Sequence, residues 1–318
     1  MSARGLCRSA RVLSEAPLSL GRVMAGSGRG RDLALDDPEA VGYLERSLAG
    51  SPVWQMGTRT LAPQIQRRDP RLLDFMANAK NAPLGELEFD VLTWAITRWY
   101  QVGRPVDGRL SATLGELAQA LYGARHGGMQ YALVREALDH LYNVSLDLTV
   151  LTVDGEDERW RASKRRRIIQ ELTIHEPVTG AAAGRQSGTL EIRLGSWLVD
   201  QLDAQTVAAI AWHVLRGLGG IAKRLAIYLA AHTSEFEAIT QHTERLAITL
   251  TDELYEEFGI TAARERDRRA SLIRAAERIA EKDPRYSRLA VHRTRAGYEL
   301  RVDRPSLGGV LMLPGLGG

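Results

Sequence analysis

Apolar residues recur at helical spacing from Glu86 onward. Phe89, Leu92, Ile96 and Trp99 share one face and predict an amphipathic helix that ends at Gly103. A turn from Gly103 to Gly108 leads into a short extended run, Arg109 to Ala112. Thr113 followed three residues later by Glu116 predicts a boxed helix start, with Leu114, Leu117, Ala118 and Leu121 inside and Gly123 as the stop. A third helix carries Tyr131, Val134, Leu138 and Leu141 on its buried stripe. After Asn143 the period falls to two. Leu146, Leu148, Val150 and Thr152 alternate as in a strand, and Ser163 to Ile174 returns as its hairpin partner. The order is helix, strand, helix, helix, hairpin.

The same order recurs downstream. Pro177 to Gly188 reads as a loop and Thr189 to Leu194 as a strand. Ser196 is expected to cap a helix with Trp197, Leu198 and Leu202, and a further helix is expected over Val207 to Leu215. Gly219-Gly220 breaks it. Ile221, Leu225, Tyr228 and Leu229 mark the long first helix of a second unit, and Ala230 to Ala247 reads as a polar connector. A β-like run, Leu246 to Leu250, precedes a helix from Thr251 to Phe258 that Gly259 closes. A helix with Arg264, Arg266, Arg268, Arg269, Arg274 and Arg278 follows, then two strands around Ala296-Gly297. Leu117, Leu121 and Gly123 can be laid over Leu254, Phe258 and Gly259.

These patterns predict an α+β protein, mainly α, built from two tandem winged-helix domains with disordered tails. Residues 1–35 read as a disordered basic tail and 36–84 as a partly ordered extension, with a short helix after Asp37-Pro38 holding Val41, Tyr43 and Leu44. The first winged helix is placed at 85–180 and the second at 181–305. A flexible tail covers 306–318.

Composition changes this picture little. The 318 residues carry a formal charge of only +3, so the clustering of arginine is more informative than the total. The single cysteine, Cys7, excludes a disulfide within the chain. No apolar run reaches the length of a membrane span, and the first 30 residues lack a secretory core, so a cytoplasmic, nucleoid- or plasmid-associated protein is expected.

The candidate chemistry is nucleic-acid recognition. In the second unit Arg266, Arg269, Arg274 and Arg278 are placed to pair with guanine or grip phosphate, against the plainer reading of a surface helix balanced by Glu265, Asp267 and Glu277. Arg288, His292, Arg293 and Arg295 fall in the proposed wing. In the first unit Arg125, Gln130 and Arg135 stand near the start of the recognition-like helix, where Glu136 and Asp139 oppose phosphate. The run Lys164, Arg165, Arg166 and Arg167 is the densest basic tract in this part and is read as a backbone clamp, its plainer alternative being a hydrated loop. The second unit is expected to read sequence, and the first to clamp DNA and support dimerisation. Trp94, Trp99, Trp197 and Trp212 read as core. Gly217 to Gly220 with Lys223 lacks the Gly-Lys-Ser/Thr ending of a phosphate loop. The histidines are scattered and give no metal pattern. Tyr122, Tyr131 and Tyr142 are conceivable nicking nucleophiles, with no metal cluster beside them.

The segments Leu92 to Trp99 with Gly103 to Pro105, Thr113 to Leu117 with Leu121 to Gly123, Gly188 to Leu194, Trp197 to Val199 and Leu218 to Leu225 with Tyr228-Leu229 together resemble plasmid and phage replication initiators of the RepA/TrfA type. The resemblance spans about residues 85 to 303. It implies two winged helices that bind repeated sites in an origin of replication, promote duplex opening and recruit host helicase and initiation proteins, with no catalytic residues and no cofactor. A winged-helix transcriptional regulator is the nearest rival. An origin-nicking relaxase or nuclease and a protein-only adaptor are the rivals from other classes.

Overall fold

The structure, a computed structural model, describes residues 41–49, 54, 74–77, 84–124, 126–154, 158–175, 188–204, 207–295 and 297–305. The two tails, most of 36–84, the Asp37-Pro38 pair and Arg125 lie outside the described residues.

The helix expected from Glu86 forms as α2 (Glu86–Gln101), preceded by β1 (Val41–Glu45), α1 (Arg46–Ala49) and β2 (Asp74–Ala77). Phe89, Leu92, Ile96 and Trp99 are all buried on it. The Gly85 amide donates to the Glu88 carboxylate at 2.9 Å and closes its first turn. The chain reverses after α2 through Gly103 at φ +92° and Arg104 at φ +57°, under which the Trp99 indole donates to the Pro105 carbonyl at 2.9 Å. Next come β3 (Arg109–Thr113), α3 (Leu114–Tyr122) and α4 (Gly128–Asn143). The capping box of α3 is present in full. The Glu116 amide donates to Thr113 Oγ1 at 3.0 Å, and the Thr113 amide donates to the Glu116 carboxylate at 2.6 Å.

The return strand expected from Ser163 to Ile174 divides at Ile168. Its first part is β5 (Glu158–Arg167), paired with β4 (Ser145–Asp154), which pairs in turn with β2. Its second part is β6 (Ile169–His175), which leaves β4 and pairs with β7 (Thr189–Leu194). The cause is a fully buried Ile168 whose carbonyl accepts from the Gly195 amide at 2.8 Å. β7 also pairs with β3, so the strand expected to lead the second unit completes a sheet ordered β3-β7-β6. A line drawn between residues 180 and 181 falls inside the connection between two paired strands of that sheet.

Two helix expectations are corrected. The helix over Val207 to Leu215 is a strand, β8 (Val207–Ala211), followed by α6 (Trp212–Gly217). The helix expected to hold Val41, Tyr43 and Leu44 is β1, which pairs antiparallel with β8 and sets Tyr43 opposite Ala209. Burial alternates along β8 and along β1 as far as Leu44, and each segment needs the other's backbone groups, which no local periodicity reveals. Between β7 and β8 lies α5 (Ser196–Asp203), with Gly195 rather than Ser196 in the cap position.

Among the described residues the most enclosed helix is α7 (Gly220–Ala231). Ten of its twelve residues are buried, so it is enclosed on every side rather than amphipathic. The Glu86 carboxylate accepts from the Gly220 amide at 2.7 Å and satisfies one open donor of the α7 first turn. The stretch expected as a polar connector holds β9 (Glu237–Thr240) and most of β10 (Thr243–Thr249). Then follow α8 (Asp252–Glu257), α9 (Glu265–Lys282), β11 (Arg288–Thr294) and β12 (Gly297–Pro305). These strands form a sheet ordered β11-β12-β10-β9. The fold is thus a mixture of helices and small antiparallel sheets. One contiguous apolar core runs from Leu44 to Val302, with Trp94, Trp99, Trp197 and Trp212 inside it. No helix among the described residues is long and apolar enough to cross a membrane.

Candidate nucleic-acid interface

The surface formed by α9 and the β11–β12 hairpin is built from α8 upward. Thr251 caps α8 by accepting from the Leu254 amide at 3.3 Å, and Gly259 at φ +74° turns the chain out of it. Buried Phe258 and Ile260 anchor the turn on either side. Arg268 then fastens the start of α9 to α8. Its guanidinium donates to the Ala262 carbonyl and to the Asp252 carboxylate, each at 2.6 Å. This arginine belongs to the turn and not to the outer surface.

Leu272, Ala275, Ala276 and Ile279 bury the inner face of α9 against α7 and β11. Arg266, Arg274 and Arg278 are exposed on the rest. Arg274 donates to Ser271 Oγ at 3.2 Å, one turn back. Arg269 is half-buried, with its guanidinium carbon 4.4 Å from the Tyr298 ring centroid on β12. That stack ties the helix to the hairpin. The helix also exposes Glu265, Asp267, Glu277 and Glu281, so six basic residues stand among four acidic ones. Glu265 and Asp267 lie in the first turn, where carboxylates complement the helix dipole. The C-terminal half is electrically balanced. The excess of positive charge lies between Arg264 and Arg274.

The hairpin register sorts the wing residues. Leu289 pairs with Val302, Val291 with Leu300 and Arg293 with Tyr298, so these share one face. Leu289, Leu300 and Val302 are buried there, and Arg269 of α9 meets Tyr298 on it. Arg293 is exposed and therefore projects on the α9 side, with Arg295 at the adjoining turn. Arg288 and His292 lie on the opposite face, set against Asp303 and Glu299. On that face Arg245 holds Asp303 through two hydrogen bonds of 2.6 and 2.8 Å, and Arg301 holds Glu299 at 2.9 Å. The Arg245 hydrogen bonds keep the Asp303 carboxyl below its ordinary value. Arg266, Arg269 and Arg293 thus lie toward the side where α9 meets the hairpin, Arg274 and Arg278 lie further round α9, and Arg288 is on the opposite face of the hairpin. Sequence reasoning passed over Tyr298. The signal for it was the register that the turn at Gly297 (φ +136°) sets.

The first-unit candidates are not gathered in the same way. Gln130 spends its side-chain oxygen on the Gly127 amide at 2.9 Å and so serves the start of α4. Arg135 is half-buried on the next turn of α4. Lys164 and Arg165 lie on β5 opposite Leu148 and Asp147. Arg166 and Arg167 are exposed at the β5 end, where the Arg167 guanidinium carbon stands 5.4 Å from the Tyr142 ring centroid on α4. The Arg167 carbonyl accepts from the Trp197 indole at 2.8 Å. The basic run is thus a strand anchored at its C-terminal end.

Lys223, the lysine of the glycine-rich stretch, is buried and paired with Asp90 of α2 at 2.6 Å. Arg216 of α6 also donates to Asp90 and to the Leu121 carbonyl. Burial pushes the Asp90 carboxyl up from its ordinary value, against the pull of the Lys223 and Arg216 charges. Lys223 is therefore committed to the core, and Gly220 has given its amide to Glu86. Among the described residues no cluster of His, Cys, Asp and Glu is arranged to hold a metal ion.

No family model matches the sequence, and no curated protein matches it. Among solved structures, it is similar to a crystal structure of selenomethionine derivatives of domains 2 and 3 of RctB. The identity is 14%, over 86% of this chain and 95% of that one, with a TM-score of 0.48. A second crystal structure of RctB domains 2–3 is 16% identical over 86% of this chain and 96% of that one, with a TM-score of 0.43. At such scores the likeness says nothing of what this chain binds.

Proposed function

We propose that this protein is a sequence-specific duplex-DNA-binding replication initiator. In this reading α7, β10, α8, α9 and the β11–β12 hairpin form one winged helix. The set α2, β3, α3, α4 and the β4–β5 hairpin forms another, the first lying within about residues 85–180 and the second within 181–305. The observation that carries the reading is that Arg266, Arg274 and Arg278 are exposed on α9, while Arg269 stacks on Tyr298 of the adjoining hairpin whose same face carries exposed Arg293. A helix fits the major groove, and a basic hairpin beside it meets the neighbouring backbone or minor groove. The resemblance to RepA/TrfA-type initiators supports repeated origin sites as the target. It also supports duplex opening and recruitment of host helicase and initiation proteins, without chemistry or cofactor of the protein's own. The first unit clamps the backbone through Lys164 to Arg167 and supports dimerisation.

Charge reversal tests the assignment. Arg274→Glu and Arg293→Glu should each abolish site-specific binding in a gel-shift titration while the circular-dichroism melt stays that of the wild type, since both side chains are exposed. Unchanged site affinity in both variants would remove α9 and the hairpin from the interface.

A further inference from the structure

The exposed positions of α9 are Glu265, Arg266, Asp267, Ile273, Arg274, Glu277, Arg278, Glu281 and Lys282, and all but one of them carry charge. Ile273 is the exception, with 36% of its surface open. A lone exposed apolar side chain is ordinary on a protein surface. This one is placed in the middle of a helix whose other exposed positions are all charged. Helical spacing puts it four residues beyond Arg269 and seven beyond Arg266, so the three share one stripe on the wing side of α9. Glu277 continues the stripe one turn on. The inner face has no use for Ile273, because Leu272, Ala275, Ala276 and Ile279 already fill it.

Building on the duplex-binding reading above, we propose that Ile273 is a specificity-determining residue that packs on the C5-methyl group of a thymine in the major groove. Major-groove edges present hydrogen-bonding groups to arginine and one apolar group, the thymine methyl, to an aliphatic side chain. Arg266 and Ile273 are therefore matched to a guanine and a thymine read from the same stripe, with Arg269 held over Tyr298 at the wing side of that pair. Without a methyl to cover it, Ile273 would face water or a phosphate in the complex.

The test uses the full chain. A randomised duplex library first selects a bound sequence. Each thymine of that sequence is then replaced by deoxyuridine, which removes the methyl and keeps every hydrogen bond. For the wild type, one substitution should weaken binding about fourfold, the worth of one buried methyl group. The same substitution should have no effect on Ile273→Ala, while Ile273→Val keeps part of the sensitivity. A selected sequence whose deoxyuridine variants all bind alike, or a methyl effect of equal size in Ile273→Ala, would overturn the thymine contact and leave duplex binding standing. A library that yields no selected sequence would overturn both.

Discussion

Removing the Asp90 carboxylate should cost more stability than any single change on the proposed DNA surface. Asp90 is 2% exposed and lies between Lys223, also 2% exposed, and Arg216. In Asp90→Ala the Lys223 ammonium is left buried without its counter-charge. Arg216 is less harmed, since its side chain is 18% exposed and keeps the Leu121 carbonyl as an acceptor. Stranding one member of a buried ion pair typically costs about 3–5 kcal/mol. Because burial already works against the Asp90 charge, replacing the pair by apolar residues should recover most of that loss. The assay is urea unfolding followed by the fluorescence of buried Trp99 and Trp212, comparing the wild type, Asp90→Ala and the double variant Asp90→Leu/Lys223→Met. Asp90→Ala should lose about 3–5 kcal/mol, and the double variant should lie within about 1 kcal/mol of the wild type. An Asp90→Ala loss under about 1 kcal/mol, or a double variant no better than the single, would refute the idea that this cluster locks α2 to α6 and α7.

Other predictions follow from single contacts. Thr113→Ala removes the cap of α3 and should lower unfolding stability by about 1 kcal/mol, with an unchanged urea midpoint counting against the box. The Arg245 hydrogen bonds place the folded-state value of Asp303 below its unfolded one. Their stabilisation is thus complete at neutral pH and is lost as acid protonates the folded carboxyl. Asp303→Asn should therefore unfold earlier than the wild type at pH 7, and the gap should begin to narrow below about pH 4 and close as the folded carboxyl protonates; a gap that persists in stronger acid would contradict the assignment. If Arg166 meets a phosphate, Arg166→Gln should flatten the slope of log affinity against log salt by about 0.9. The same slope in both proteins would take Arg166 off the DNA.

Several elements are legible because the signal is local. The stripe from Phe89 to Trp99, the Thr113–Glu116 box and the left-handed glycines Gly123 and Gly259 each decide their own neighbourhood. The strands β1 and β8 are not legible in this way. Val207-Ala-Ala-Ile-Ala211 is as good a helix as a strand until Val41 to Glu45, far away in sequence, supplies its hydrogen bonds. The same limit hides the break at Ile168, which depends on Gly195. Arginine clusters on α9 and the hairpin are visible as composition. Composition does not say that Arg268 is spent on Asp252, that Lys223 is spent on Asp90, or that Arg288 and Arg293 lie on opposite faces of one sheet. Those facts are set by strand register and burial. Ile273 carried a sequence signal, an aliphatic residue at a solvent position of a charged helix, which becomes meaningful once the inner face is known to be full.

The most direct measurement is binding of the full chain to duplex fragments tiled across the replicon that encodes it, each titrated at two salt concentrations against random competitor duplex. One or a few fragments, holding repeated sites, should remain bound at the higher salt. Binding of equal strength to every fragment, collapsing as salt rises, would reduce the α9 surface to a nonspecific basic patch and contradict the initiator reading.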